Sequence, residues 1–142
     1  MAQPVDPARE PDPAGAPLRR FTDPAYRPLA SDLAGLRREI DRIDEQIVRL
    51  LAERAMYVKD AARFKLDSYQ VSAPARQAQV FAHVRALAAQ HNPGFNGGFE
   101  GLPDVVEAAY RALVPAYIAC EQNYFGATEP VTAEGNRKEA EK

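Results

Sequence analysis

Apolar residues recur every three or four positions through the middle of the chain, which is the spacing of one face of an α-helix. In the first such stretch charged residues occupy the opposite face, and the apolar positions are Leu33, Leu36, Ile40, Ile43, Ile47, Leu50, Ala55, Val58, Ala61, Ala62 and Phe64. Ser31 is a suitable N-cap, and the polar stretch 66–70 marks the end. The pattern predicts a first helix of about 34 residues.

Two further helical patterns follow, and no segment alternates as a β-strand does. The second helix is predicted from Ala73–Pro74, with proline in its first turn, to about Gln90. The glycine-rich stretch 91–101 predicts a loop, and a third helix opens near Pro103. That helix carries Val106, Tyr110, Leu113, Val114, Tyr117, Ile118, Tyr124 and Phe125. The sequence therefore predicts an all-α fold: a three-helix chain with a long first helix.

The two ends of the chain lack the helical pattern. Residues 1–30 have no periodic apolar residues and contain seven of the twelve prolines: Pro4, Pro7, Pro11, Pro13, Pro17, Pro24 and Pro28. This composition predicts a disordered proline-rich arm, and the polar residues 126–142 predict a disordered charged tail. A chain of 142 residues has the size of one domain, which we place at 31–125.

The predicted length of the first helix has a consequence for assembly. At ~1.5 Å per residue it would be ~50 Å long, whereas a compact monomer of this size has a radius of gyration of only ~13 Å. Its apolar stripe continues along the whole length, so a single chain could not cover it. We therefore expect a homodimer in which the long helices pair about a two-fold axis.

Composition and charge exclude several classes of function. The formal net charge is -2, which argues against a nucleic-acid partner or binding to an anionic membrane. With one cysteine, Cys120, and two histidines, His83 and His91, the chain has no internal disulfide and no cluster with the spacing of metal ligands. No stretch approaches the ~18 apolar residues of a membrane span, and no secretory signal is evident. These features predict a cytoplasmic protein with no metal.

Some charged residues interrupt the apolar faces. Arg54 lies in the stripe of the first helix, where a buried guanidinium needs an anion: either a neighbouring carboxylate such as Glu45 or Glu53, or a ligand. Three further cations, Arg37, Lys65 and Arg76, flank the same stripe or begin the second helix. On the third helix, the spacing that runs through Tyr110, Val114 and Tyr117 reaches Glu121.

Glu121 has two interpretations. It could form a simple ion pair with Arg54 or Lys65, or it could join the cations around a cavity for a small dianionic substrate. The sequence contains no nucleophile paired with a base and no glycine-rich phosphate loop, so covalent catalysis and nucleotide chemistry have no candidate residues.

The first helix resembles that of the all-helical chorismate mutase class. The stretches that carry the resemblance are 36–44, 47–54 and 61–65, and the match continues through 73–76 and 117–119 to about Phe125. Within that class, 57–59 and 62–65 are most similar to the isochorismate pyruvate lyase branch. The resemblance covers most of the predicted domain and neither end of the chain.

The resemblance implies an intertwined helical dimer with two shared active sites, each completed by Arg37 from the other subunit. It implies that Arg54, Lys65 and Glu121 are catalytic. It places the substrate against Arg37, Arg54, Val58, Lys65, Arg76, Gln77 and Ile118. Glu121 stands where most bacterial members have glutamine, and Ala73 and Gln77 stand where acidic residues usually hold the substrate hydroxyl.

The implied activity is that of a chorismate mutase, an isomerase of the shikimate pathway to aromatic amino acids. The rearrangement of chorismate to prephenate is pericyclic, so the protein needs to supply position and charge rather than a nucleophile, metal or cofactor. One alternative is an isochorismate pyruvate lyase, which gives salicylate and pyruvate. A second is a non-catalytic helical dimerisation module, which would have no reason to keep Arg37, Arg54, Lys65 and Glu121 together.

Overall fold

A computed structural model of the chain describes residues 3–131. It contains three long helices and one short one: α1 (Leu33–Ala61), α2 (Ser68–Ser72), α3 (Pro74–His91) and α4 (Leu102–Gly126). Short 3-10 turns occupy Pro7–Arg9 and Ala62–Phe64. No residue in the described range is in a strand, and the predicted all-α class is confirmed.

Both ends of α1 differ from the prediction. Asp32, not Ser31, caps the helix, because its Oδ1 accepts a hydrogen bond from the backbone N–H of Gly35 at 2.7 Å. The helix has 29 residues and ends at Ala61, so the expected continuous helix through Lys65 is too long. The final turn tightens into the 3-10 geometry, with Lys65 N–H donating to the carbonyl of Ala62 at 3.4 Å.

The polar stretch after α1 contains the short helix α2, which the sequence pattern did not reveal. Asp67 caps it by accepting a hydrogen bond from Gln70 N–H at 2.9 Å. The helix ends at Ser72, the next residue Ala73 has a left-handed φ of 44°, and Pro74 then begins α3. This compact turn brings the start of α3 directly after α2.

The glycine-rich loop between α3 and α4 is confirmed. Four of its residues, Asn96, Gly97, Gly98 and Gly101, have positive φ, and three of the four are glycines that adopt this geometry without strain. Gly101, at φ 81°, immediately precedes α4.

The chain divides into two compact units. One contains Ala52–Asn92 and the described residues from Gly101 onward. Its core is small and apolar, formed by Ala62, Val71, Val84, Ala88 and Val114. The other contains the residues up to Leu51 together with Pro93–Glu100.

In the second of these units, the N-terminal arm is hydrogen-bonded at two places. Arg27 N–H donates to Asn96 Oδ1 at 2.8 Å, and Asn96 Nδ2 donates to the carbonyl of Arg27 at 3.0 Å. Ala34 N–H donates to the carbonyl of Pro13 at 2.9 Å. The boundaries given for the arm and the charged tail stay predictions, and residues 132–142 of the tail lie outside the described residues.

An ion-pair network joins α3 to α4 in the unit that contains both. Arg85 donates to Asp104 at 2.8 Å and to Glu107 at 3.3 Å, and Arg111 donates to Glu107 at 2.8 Å. The hydrogen bond from Arg111 lowers the pKa of Glu107, and the hydrogen bond to Asp104 raises the pKa of Arg85. Among the described residues, no helix is both long and apolar enough to cross a membrane.

Candidate active site

A cavity of about 310 Å³ lies in the unit formed by Ala52–Asn92 and the described residues from Gly101 onward. The end of α1, the α2 turn, the start of α3 and the second half of α4 contribute its walls. Seven of the predicted site residues line it: Arg54, Val58, Lys65, Arg76, Gln77, Ile118 and Glu121. The structure therefore brings together residues up to 67 positions apart, from Arg54 to Glu121.

Helical spacing explains how these side chains share one cavity. Arg54 and Val58 are one turn apart on α1, and Tyr117 and Glu121 are one turn apart on α4. Lys65 is placed by the 3-10 turn that ends at Phe64, since its own backbone is extended. Arg37, the eighth predicted residue, is exposed on α1 within the other unit and does not line this cavity.

Arg54 lies against aromatic rings. Its guanidinium carbon is 5.0 Å from the ring centroid of Tyr117 and 5.7 Å from that of Tyr110. The alternative pairing with a neighbouring carboxylate on α1 is not found within the described residues, and Glu45 pairs with Arg49 at 3.2 Å instead. An aromatic ring does not neutralise the charge of a guanidinium. It also does not use the N–H donors, which lie in the plane of the guanidinium. Arg54 is thus held at the cavity by two aromatic rings, and it forms no ion pair with a carboxylate of the described residues.

Glu121 forms an ion pair with Lys65. The distance from Lys65 Nζ to Glu121 Oε2 is 3.1 Å, and this decides between the two partners that the sequence left open. Glu121 is only 4% exposed, and the Lys65 side chain is 21% exposed. Among the described residues no buried side-chain nitrogen or oxygen lacks a hydrogen-bond partner.

The charges around the cavity favour an anion. Three cations, Arg54, Lys65 and Arg76, and one carboxylate, Glu121, give a formal charge of +2 at the wall. Most of the remaining wall is apolar, and an apolar wall strengthens electrostatic interactions with an anion bound against it. A small molecule with two carboxylates matches this charge.

Sequence reasoning missed the hydrogen bonds that hold the α2 turn. Gln77 Nε2 donates to the carbonyl of Ser72 at 2.6 Å, so this predicted substrate contact also supports the wall of the cavity. Gln122 exchanges two hydrogen bonds with Ser68 on α2, at 3.0 Å and 2.9 Å. The signal that could have revealed α2 is Asp67 followed three residues later by Gln70, an N-cap pattern.

Comparison with known proteins gives a family match over most of the helical region. A family model described as chorismate mutase type II matches residues 36–122. The match includes every residue of the cavity wall named above and also Arg37, and it leaves out the proline-rich arm.

Three relatives show the same similarity. A chorismate mutase from Methanocaldococcus jannaschii is 33% identical over 96 residues, which are 67% of this chain and 96% of the relative. An isochorismate pyruvate lyase from Pseudomonas aeruginosa is 38% identical over 96 residues, 68% of this chain and 87% of the relative. A bifunctional chorismate mutase/prephenate dehydratase from Aquifex aeolicus is 34% identical over 92 residues, 64% of this chain and 24% of the relative.

Proposed function

Because this chain belongs to the chorismate mutase type II family, we propose that its helical cavity binds chorismate and rearranges it to prephenate. The observation that carries the proposal is the wall of three cations and one carboxylate around about 310 Å³. The reaction breaks the C–O bond of the enolpyruvyl ether as a C–C bond forms within the same molecule. It needs no nucleophile, so the protein contributes by holding the reactive conformer and stabilising charge.

Arg54 and Arg76 are the proposed carboxylate-binding residues. They belong to different helices, α1 and α3, and both line the cavity. Two arginines on separate helices can grip the two carboxylates of one substrate and hold its enolpyruvyl arm folded over the ring. Val58 and Ile118 supply apolar wall for the ring between these charges.

Lys65 and Glu121 are the proposed pair at the ether oxygen. Negative charge develops on this oxygen as the C–O bond breaks. A fixed cationic donor therefore stabilises the transition state more than it stabilises the ground state. Lys65 supplies such a donor, held by Glu121 at 3.1 Å. Glu121 itself donates a hydrogen bond only in its protonated form, and its ionised form repels the developing charge.

The surface of α1 supports a homodimer. No residue of this helix is buried in the single chain, although it carries a continuous apolar stripe. Five stripe residues are between 38% and 63% exposed: Leu36, Ile40, Ile43, Ile47 and Leu50. The stripe runs along a helix of ~43 Å. Soluble monomers rarely expose so long a contiguous apolar surface to water. Pairing of two α1 helices would cover it.

The same dimer gives Arg37 its proposed role. Arg37 follows Leu36 on α1 and is exposed in the single chain. By resemblance to the family, Arg37 of a second subunit would complete the cavity and bind a substrate carboxylate. The proposed active site is thus shared, with Arg54, Lys65, Arg76 and Glu121 from one subunit.

Isochorismate pyruvate lyase is the second candidate function. Two positions in the cavity wall favour it: Ala73 and Gln77, where the resemblance leads us to expect acidic residues that hold the hydroxyl of chorismate. Gln77 is already engaged with the carbonyl of Ser72. The relative from Pseudomonas aeruginosa adds to this case.

One assay separates the candidates. The purified protein is incubated with chorismate and, separately, with isochorismate, and the products are identified by chromatography. Prephenate from chorismate as the main reaction supports the mutase, and salicylate with pyruvate from isochorismate supports the lyase. Arg54→Ala is the control that removes a cavity cation and should abolish either activity, and Arg49→Ala removes an exposed cation of α1 and should not. No turnover of either substrate would leave the dimerisation module as the remaining interpretation.

A further inference from the structure

We propose that Gln122 is a positioning residue, which holds α2 against α4 and so keeps Lys65 at the cavity. Gln122 does not line the cavity, and it immediately follows Glu121, the partner of Lys65. The inference rests on the proposed function, because it concerns the placement of the proposed ether-oxygen donor.

The side-chain amide of Gln122 forms hydrogen bonds to α2 through both its oxygen and its nitrogen. Ser68 Oγ donates to Gln122 Oε1 at 3.0 Å, and Gln122 Nε2 donates to the carbonyl of Ser68 at 2.9 Å. Nε2 also lies 3.4 Å from Ser72 Oγ, at the other end of the same helix. One side chain therefore fixes both the first and the last residue of α2.

A closed ring of contacts connects these hydrogen bonds to Lys65. Leu66, the residue after Lys65, donates its N–H to Gln70 Oε1 on α2 at 2.7 Å. Lys65 Nζ contacts Glu121 on α4, and Gln122 returns from α4 to Ser68 on α2. The ring closes at two adjacent residues of one rigid helix, so movement of α2 away from α4 would also move Lys65.

The short helix α2 depends on such contacts. A five-residue helix is not stable on its own, because the cost of nucleating a helix exceeds what one turn returns. Two further contacts hold its C-terminal half: Val71 is 1% exposed, and Gln77 binds the carbonyl of Ser72. The N-terminal half, next to Lys65, has Gln122 as its hydrogen-bonded contact with α4.

Hydrogen exchange of the substrate-free protein tests directly whether Gln122 holds α2 against α4. Gln122→Leu keeps the approximate size of the side chain and removes its hydrogen bonds. Asn123→Leu is the matched control, since Asn123 is the next residue of α4, is exposed, and has no hydrogen-bonded side chain among the described residues. We expect the backbone amides of residues 66–73 to exchange roughly tenfold faster in Gln122→Leu, whereas the exchange rates of α3 and α4 should be unchanged. No local change relative to Asn123→Leu, or an equal acceleration in all helices, would overturn the proposal.

Steady-state kinetics test the consequence for Lys65. We expect kcat of Gln122→Leu on the preferred substrate to fall roughly tenfold while KM changes little, because Lys65 acts on charge that develops in the transition state. Faster exchange with unchanged kcat would show that Gln122 orders α2 without positioning Lys65. If the wild-type protein turns over neither substrate, the proposed function is refuted. The exchange experiment would still show whether Gln122 holds α2 against α4.

Ser68→Ala keeps the proposal testable if Gln122→Leu does not fold. It removes only the bond from Ser68 Oγ at the exposed end of α2, so exchange and kcat should change in the same direction by a smaller factor. In the double variant, Ser68→Ala should add nothing to Gln122→Leu, because the two share one contact. Full additivity would contradict the contact.

Discussion

Replacement of Glu121 by glutamine tests the proposed chemistry at its most unusual position. The carboxylate is 4% exposed and lies 3.1 Å from Lys65 Nζ. A carboxylate can only accept hydrogen bonds, so it offers no donor to a developing oxyanion. Glutamine has nearly the same shape, keeps an acceptor for Lys65 and adds an N–H donor.

The expected effects on activity and stability have opposite signs. A single preorganised donor at a developing oxyanion contributes about 10²-fold or more in kcat, so Glu121→Gln should raise kcat on chorismate by up to ~10²-fold at pH 7.5. The substitution also removes the attraction between the charges of Glu121 and Lys65, roughly 5 kcal/mol before desolvation at an effective dielectric constant of ~20. Relief of carboxylate desolvation and the retained hydrogen bond to Lys65 offset most of this, so the net loss of stability should not exceed ~2 kcal/mol.

The assay compares kcat and kcat/KM for both proteins from pH 4 to 9, with thermal unfolding as the check on folding. Glu53→Gln is the matched control, since Glu53 is an exposed carboxylate on α1 that does not line the cavity. A folded Glu121→Gln protein that is no faster than wild type at any pH would refute the placement of Glu121 at the ether oxygen.

Four further outcomes follow from the structure. Arg54→Ala should lower kcat/KM by at least ~10²-fold in steady-state assays, and a folded variant with full activity would make Arg54 a structural residue only. The solution mass from light scattering should be close to twice the chain mass, and an active monomer would contradict the shared site. Mixing the inactive Arg37→Ala and Arg54→Ala proteins should restore roughly a quarter of wild-type activity, because half the dimers are mixed and each has one intact site; no recovery after confirmed subunit exchange would place Arg37 in its own chain's site. Glu107→Gln should lower Tm slightly at pH 7, and the difference in Tm should vanish in acid. The hydrogen bond from Arg111 lowers the pKa of Glu107 in the folded state. The stabilisation is therefore present above the unfolded-state pKa and is lost as pH falls through the folded-state pKa. A difference that persists unchanged at pH 2 would contradict that linkage.

The structure of the site explains which residues sequence reasoning could find. Arg54 and Glu121 were identifiable because each places a charge on an otherwise apolar helical face, and a buried charge requires a partner or ligand. Arg54 lies against Tyr110 and Tyr117, whereas Glu121 takes Lys65. The choice of partner depends on how α1, α4 and the 3-10 turn meet, and no helical period contains that information.

The residues that support the cavity were harder to find. Gln122 lies one position beyond Glu121 and therefore points to a different face, where the sequence offers it no partner. Its partner, Ser68, belongs to a five-residue helix that is too short to show a period of 3.6. Only the packing of α2 on α4 brings the two together.

The sequence by itself determined the three long helices, the glycine-rich loop and the inward-facing charges, because these depend on periodicity and local backbone preference. The contiguous stripe of α1 also predicts that a second chain is needed, and the exposed Ile43 and Ile47 agree with that expectation. Tertiary structure decided the end of α1, the existence of α2 and the pairing of Lys65 with Glu121. These depend on contacts between segments far apart in the chain, whose energies exceed the local preferences that a sequence pattern records.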